Sequence, residues 1–259
     1  MTDTSKVKVP KTDSAFVRIY TESNELIRTL KVKADTGLNR YYWGFEMKGI
    51  RQPGSAKPKE DAPEPRGLQV FPGTYKLVVF LGNEKDSAMI VVKPDPAVTP
   101  NKEVYDAKAA ALKRIGSSTE KMVAVTDRLA EAEETIAKVE ASLKNIENPA
   151  ADSLRKTSKA MLDSIKNIRN FIFGKPLEKQ GYGQVFQITV NGKLQEARSE
   201  VMGKAKIPDA QEFALIEIAE SLVAETIKKT NAFFTGKWLA YQQQAAATAM
   251  PLFKEYDKM

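Results

Sequence analysis

Arg40, Tyr41, Tyr42 and Trp43 stand together early in the chain, and Arg66 follows beyond a Pro-rich stretch. Tyr41 and Trp43 alternate along one face, the placement from which aromatic rings can stack against a sugar. Arg40 and Arg66 supply the forked donors that recognise a carboxylate or a sialic-acid-like anion. Arg40, Tyr41, Trp43 and Arg66 are therefore the candidate binding residues. Set against this, aromatics at alternating strand positions usually build a core, and the structural role is the one expected for Trp43. Glu46 with Asp61 or Glu64 would make a glycosidase pair only if held about 5–9 Å apart. Asp61 and Glu64 lie in the Pro-rich stretch, so that pair is not expected to form.

The chain has no His and no Cys. This removes the usual base of a nucleophilic triad, the commonest metal ligand and every thiol nucleophile. Ser-Lys chemistry survives the exclusion, but no spacing signals it. The expectation is a protein that is not an enzyme in its own right, with no metal and no cofactor.

The elements that must position these side chains read as short strands. Gly37–Met47 alternates after a glycine turn, and Phe71–Phe80 leaves a Pro-Gly turn and runs apolar, as a strand covered on both faces would. Ala15–Tyr20 and Leu26–Leu30 form a hairpin around Glu22-Ser23-Asn24. Lys48 to Arg66 reads as a long exposed loop, more mobile than functional. Gly82-Asn83 then turns the chain into Met89–Val92. Six or so strands in residues 14–94 fit an antiparallel β-sandwich, preceded by a disordered or edge segment over residues 1–13.

Two motifs occur in order: Gly37-Leu38-Asn39-Arg40-Tyr41-Tyr42-Trp43, then Pro72-Gly73-Thr74-Tyr75 entering an apolar strand. With the strand Leu26-Ile27-Arg28-Thr29-Leu30, they resemble the C-terminal region of large bacterial envelope proteins. Those proteins are built on a sortilin-type, BNR-repeat β-propeller and are often described as glycosyl-hydrolase-like. The resemblance covers Ala15 to about Pro96 well and the remainder in outline. It implies an Ig-like sandwich, similar to that of the flagellar hook-capping protein, followed by a helical region. No propeller precedes the motif here, so an activity carried by a propeller is not implied for this chain.

Residues 95–101 read as a linker: Pro94, just before it, and Pro96 and Pro100 within it continue neither a ladder nor a helix. Beyond it the apolar period changes from 2 to 3.5. Met122, Val125, Leu129, Ala132, Ile136, Val139, Leu143 and Ile146 follow 3-4 spacing, and the register runs back through Ser118, Ile115 and Ala111. That is a heptad seam, with Gly116-Ser117-Ser118 as a point where the helix could bend. Asn148-Pro149 stops and restarts the chain, and Leu154, Ser158, Met161, Ile165, Ile168 and Ile172 form a second seam. A connection this short makes the pair antiparallel.

A crossing at Gly174–Gly183 leads to a shorter helix, Phe186 to Met202. Pro208-Asp209 opens a last long helix with Ile216, Ala219, Val223, Ile227, Phe234, Trp238, Tyr241, Ala245 and Leu252 on its seam, widened by Leu215, Ile218 and Leu222. Gly236 is expected to kink it and Pro251 to restart it. Phe233, Phe234 and Trp238 are expected in the core rather than in a partner-binding patch. Residues 102–259 thus read as an antiparallel bundle of long helices. The whole is a multidomain β + α chain.

Net charge is +7. Residues 1–94 hold 16 Lys and Arg against 11 Asp and Glu, and residues 95–259 hold 24 against 22, so the excess lies on the β half. The cations are scattered through strand ends and loops rather than gathered in a run, which points to solvated surface and not to nucleic acid. Met1–Pro10 carries no apolar stretch and does not read as a signal peptide, and no window reaches the length of a membrane span. The expected function is a non-catalytic protein-interaction or scaffold module, partnered by another protein or by the missing propeller. A carbohydrate-binding fragment of a glycoside-hydrolase-like protein is the alternative, with glycan as ligand. As part of an exported protein it would be periplasmic, outer-membrane-associated or extracellular; with Met1 as native start it would be cytoplasmic, a coiled-coil adaptor.

Overall fold

The computed structural model describes residues 14–59, 62–97, 99–176 and 187–248. It is a mixed β and α structure: six strands come first, then helices. Two compact units are distinguished, Met1–Arg51 with Ala56–Asp106, and Gln52–Ser55 with Ala107–Met259. The expectations for residues 1–13, Asp61, Phe186, Pro251 and Leu252 lie outside the described residues, as does most of the expected crossing.

In the first unit, β1 (Ser14–Thr21), β2 (Leu26–Lys33), β5 (Gly73–Leu81) and β6 (Glu84–Val92) form an antiparallel sheet in the order β2-β1-β5-β6. Alternation in β1 buries Ala15, Val17 and Ile19 and leaves Phe16 and Arg18 exposed, as a half-buried strand requires. The β1–β2 turn places Asn24 at φ 61°, a left-handed conformation that asparagine tolerates better than most residues. A separate antiparallel pair, β3 (Glu46–Lys48) and β4 (Arg66–Gln69), completes the strands. The close approach of these two chains needs glycine: a Cβ on Gly67 would lie 2.6 Å from the Met47 carbonyl oxygen. Val17, Ile19, Ile27, Val70 and Tyr75 form the core, with Trp43, Met47, Leu77 and Ile90 packed around them.

Two expectations are corrected here. The strand through Gly37–Met47 forms only at its end, as β3. Its earlier part is a loop, in which the Asn39 side chain accepts from the Asp35 amide at 3.0 Å and donates to the Asp35 carbonyl at 2.7 Å. Such local side-chain bonding competes with a ladder. Phe45 then stands at φ 57°, outside the extended region, and Leu38 and Tyr42 are 96% and 83% exposed. Nor is β5 covered on both faces: Val79 and Leu81 are exposed, and Tyr75 is its one buried residue.

In the second unit, α1 (Lys102–Leu143) begins in the first unit's residues and runs on as one helix through Gly116-Ser117-Ser118. Gly116 and Ser118 are buried in its packed face. Ala111, Ile115, Met122, Val125, Leu129, Ala132, Ile136 and Leu143 share one core with Leu154, Met161, Ile165, Ile168 and Ile172 of α2 (Pro149–Phe173). Asn148 caps α2 by accepting from the Ala151 amide at 2.8 Å, and Pro149 occupies the first turn, where no amide hydrogen is needed. Arg169 meets Glu133 at 2.8 Å while Arg155 donates to the Leu143 and Ile146 carbonyls at 2.6 and 2.7 Å. These contacts run α2 antiparallel to α1.

α3 (Val190–Gly203) starts at a Thr189 cap, and Asp209 opens α4 (Ala210–Phe233) with a capping box closed by Glu212. Arg114 pairs with Glu220 at 2.8 Å and Arg128 lies 4.6 Å from the Phe234 ring centroid, so α4 follows the direction of α1. Glu212, Ile216, Ala219, Val223, Thr226, Thr230 and Phe233 are buried at steps of 4-3-4-3-4-3. The next buried position, Tyr241 in α5 (Leu239–Ala247), is eight residues on where a heptad supplies seven. A π-helical turn at Phe234–Trp238 takes up the extra residue and returns Tyr241 to the core side. The turn includes Gly236, where the kink was expected, and the buried seam passes through Phe233 rather than Phe234. Ile218, expected to widen the stripe, is 46% exposed.

Candidate functional site

A cleft of about 320 Å³ runs beside β2, the edge strand nearest the predicted site, lined by Arg28, Thr29, Lys31, Arg40, Tyr41, Tyr42 and Glu64 among others. Arg28 is 7% exposed, and its guanidinium donates to the Met47 carbonyl at 3.2 Å, to that of Glu64 at 3.0 Å, and to that of Pro65. A nearly buried charge needs such partners, and here they tie both ends of the loop between β3 and β4 to β2. The Glu64 carboxylate accepts from the Thr29 amide at 2.8 Å, covering the edge of β2, and meets Lys48 at 3.5 Å. The loop expected to be an exposed excursion is thus fixed to the sheet at its far end, and Pro53 within it is buried.

Of the predicted residues, Arg40 and Tyr41 come together at this cleft with Tyr42. The Tyr41 hydroxyl donates to the Lys33 carbonyl, so its ring is anchored rather than free to stack. Trp43 is not a cleft residue. Its indole N–H donates to the Glu46 carbonyl at 2.9 Å, and its ring meets Phe45 and Tyr75 edge-on at 5.4 and 5.6 Å, against the core. Arg66 is exposed in β4, 3.8 Å from Glu46, and does not line the cleft with Arg40. Glu46 and Glu64 are each engaged by their own partners. Among the described residues no group of three or more His, Cys, Asp or Glu is gathered as a metal would require.

Arg28 is the residue that the sequence reading passed over. Its signal was present: a cation between Ile27 and Leu30 in an apolar strand must either face water or be paired. The α3–α4 junction holds a second such group. Glu212 is 1% exposed, accepts from the Asp209 amide at 2.8 Å and is bonded by Lys204. The Lys204 hydrogen bond, with the Asp209 amide behind it, holds the Glu212 carboxyl below its ordinary range. Lys206, Glu212 and the Gln211 amide together hold that of Asp209 well below its own. The spacing Asp209-x-x-Glu212 announces a cap, so this cluster reads as helix architecture. In the first unit, burial pushes the hydroxyls of Tyr75 and Tyr105 up, and both donate to main-chain carbonyls, of Phe71 and Gln69 respectively.

No protein-family model, curated protein or solved structure matches the chain. Among the described residues no helix is long and apolar enough to cross a membrane.

Proposed function

We propose that this chain is a non-catalytic protein-interaction or scaffold module, an Ig-like sandwich followed by an antiparallel bundle of long helices. In this reading it forms the C-terminal part of a larger exported propeller protein of the periplasm, outer membrane or cell exterior. The observation that carries it is the division of labour among side chains of the β unit. Arg28, Glu64, Tyr41 and Trp43, which could do chemistry, are bonded into the framework, whereas Phe16, Met89 and Val91 stand 39%, 59% and 66% exposed on the sheet. Exposed apolar side chains of this size on one face of a sheet point to a surface that another molecule covers.

The cleft favours a second reading, a glycan-binding module, because Arg40 and the 83% exposed Tyr42 lie together in a space that admits a sugar. A glycan array and an affinity capture from envelope extract separate the two. A partner protein identified in the capture and reassembled with the purified chain supports the scaffold. Binding to a defined glycan, lost on Tyr42→Ala and Arg40→Ala, replaces it with the second reading.

A further inference from the structure

In an antiparallel sheet, residues directly opposite one another share a face. Phe16 opposes Lys31 and Phe80, Lys76 opposes Tyr20 and Met89, Val91 opposes Thr74, and Lys85 opposes Phe80. This face, turned away from the core, therefore carries Arg18, Lys31, Lys33, Lys76 and Lys85 and no Asp or Glu. Lys33 meets Asp35 of the following loop at 2.9 Å. The Arg18 guanidinium lies 4.8 Å from the Phe80 ring centroid and the Lys31 ammonium 5.8 Å from that of Phe16. Apolar and cationic groups are thus interleaved on a face that is largely open to water.

Beside the same face runs the end of the sheet. β6 is the last strand, pairs with β5 along its whole length from Glu84 to Val92, and contains no proline. Its other edge presents the row of N–H and C=O groups that an added strand completes. Edge strands are ordinarily protected by charge or proline. Here Glu84, Lys85 and Asp86 guard only one end, and Ser87–Val92 is left without a charge.

We infer that this edge and face bind an extended, acidic segment of another polypeptide by strand addition to β6. Apolar side chains of the segment would lie beside Met89 and Val91 and its carboxylates toward Lys85 and Lys76. Polypeptide is favoured because, among the described residues, no strand pairs with the outer edge of β6 beyond Ser87, whose amide donates to the Asp86 carboxylate at 2.7 Å, and such a row of main-chain donors and acceptors matches another main chain. Nucleic acid is disfavoured because Phe16 and Phe80 each already have a cation over the ring, where a base would stack. A second copy is disfavoured because the like-charged faces would be brought side by side. The inference rests on the interaction-module reading and adds the surface and the chemistry of the partner.

The test is affinity selection of short random peptides on the intact chain, with binding of the winners measured to the chain, to Lys76→Glu/Lys85→Glu and to Met89→Ser/Val91→Ser. Both pairs are surface changes, and a thermal melt confirms that each variant is folded. Enriched sequences should carry more Asp and Glu than Lys and Arg, with apolar residues at alternate positions. Their affinity should fall about tenfold or more in each variant, with binding to the chain itself weakening as salt rises. Neutral or basic winners, or affinities unchanged in both variants, overturn the inference. So does capture of oligothymidylate or of anionic phospholipid vesicles in place of peptides, or self-association through β6 seen by sedimentation. If the charge-reversed chain still reassembles with the partner identified from envelope extract, this surface is wrong while the interaction module stands. If the unaltered chain reassembles with no protein at all, the module reading itself fails.

Discussion

Ile136 and Ile218 allow one substitution to be made twice in the same fold, with only the surroundings changed. Ile136 is 0% exposed in the seam of α1, and Ile218 is 46% exposed on α4. Ile→Ala removes three carbons, so about 2.4 kcal/mol of transfer free energy is lost at a fully buried site, at about 0.8 kcal/mol per carbon. The cavity left at Ile136 adds to this, because Leu129, Leu143 and Ile165 in the same core are held by their own packing, and the total falls at about 3 kcal/mol. For a chain of this size each kcal/mol moves the melting temperature by roughly 2–4 °C, which gives a fall of about 6–12 °C. At Ile218 alanine gains helix propensity and loses only part of its contact, so the change should stay within about 0.5 kcal/mol. The assay is thermal unfolding followed by far-ultraviolet circular dichroism, with sedimentation at several concentrations. An unshifted melt for Ile136→Ala, together with concentration-dependent self-association of the unaltered chain, would refute the packing of this seam within one molecule.

Three further outcomes follow from the contacts described. Tyr241→Phe removes the partner of the fully buried Ser158 hydroxyl, 2.8 Å away, and should cost about 1–3 kcal/mol; adding Ser158→Ala should recover part of it in a double-mutant cycle. Arg28→Met leaves three carbonyls without their donor and should destabilise the sheet unit by about 3 kcal/mol, read from the fluorescence of Trp43 in a Trp238→Phe background. At the α3–α4 junction the carboxyls of Asp209 and Glu212 are held below their ordinary values of 3.8 and 4.5. Their contribution is therefore complete above about pH 5 and is lost as pH falls through that range and below, since the unfolded chain takes up protons first. Glu212→Gln should lower stability at neutral pH and flatten the acid limb of a stability-versus-pH curve.

What could be read from the sequence was what repeats. The α1 and α2 seams persist over many turns, so each added apolar residue reinforced the same register, and all six α2 positions from Leu154 to Ile172 are buried as spaced. The stretch from Leu38 to Phe45 misled for the opposite reason. Its alternation is short, and one asparagine with local hydrogen bonds and one left-handed phenylalanine suffice to undo it. β6 was legible only in its apolar half, because an edge strand open to water tolerates Glu84, Lys85, Asp86 and Ser87. At the site, type and order suggested Arg40, Tyr41, Trp43 and Arg66 as a group. Which of them share a cleft depends on the β3–β4 loop closing onto β2 through Arg28, a contact between residues 36 and 37 positions apart.

The π-helical turn at Phe234–Trp238 bears on the history of the last helix. A heptad rod that gains one residue must either rotate everything downstream or swallow the newcomer locally, and here Tyr241 still reaches Ser158. The turn therefore has the form of a healed insertion. Removing Gly236, which meets nothing within 4 Å where a Cβ would be, would bring Phe233 and Tyr241 to the heptad distance of seven and convert the turn to ordinary α-helix. A deletion in the middle of a helix normally ruins its phase; at this one place it should leave the phase intact, so natural variants lacking a residue between Phe234 and Trp238 would be fully folded proteins.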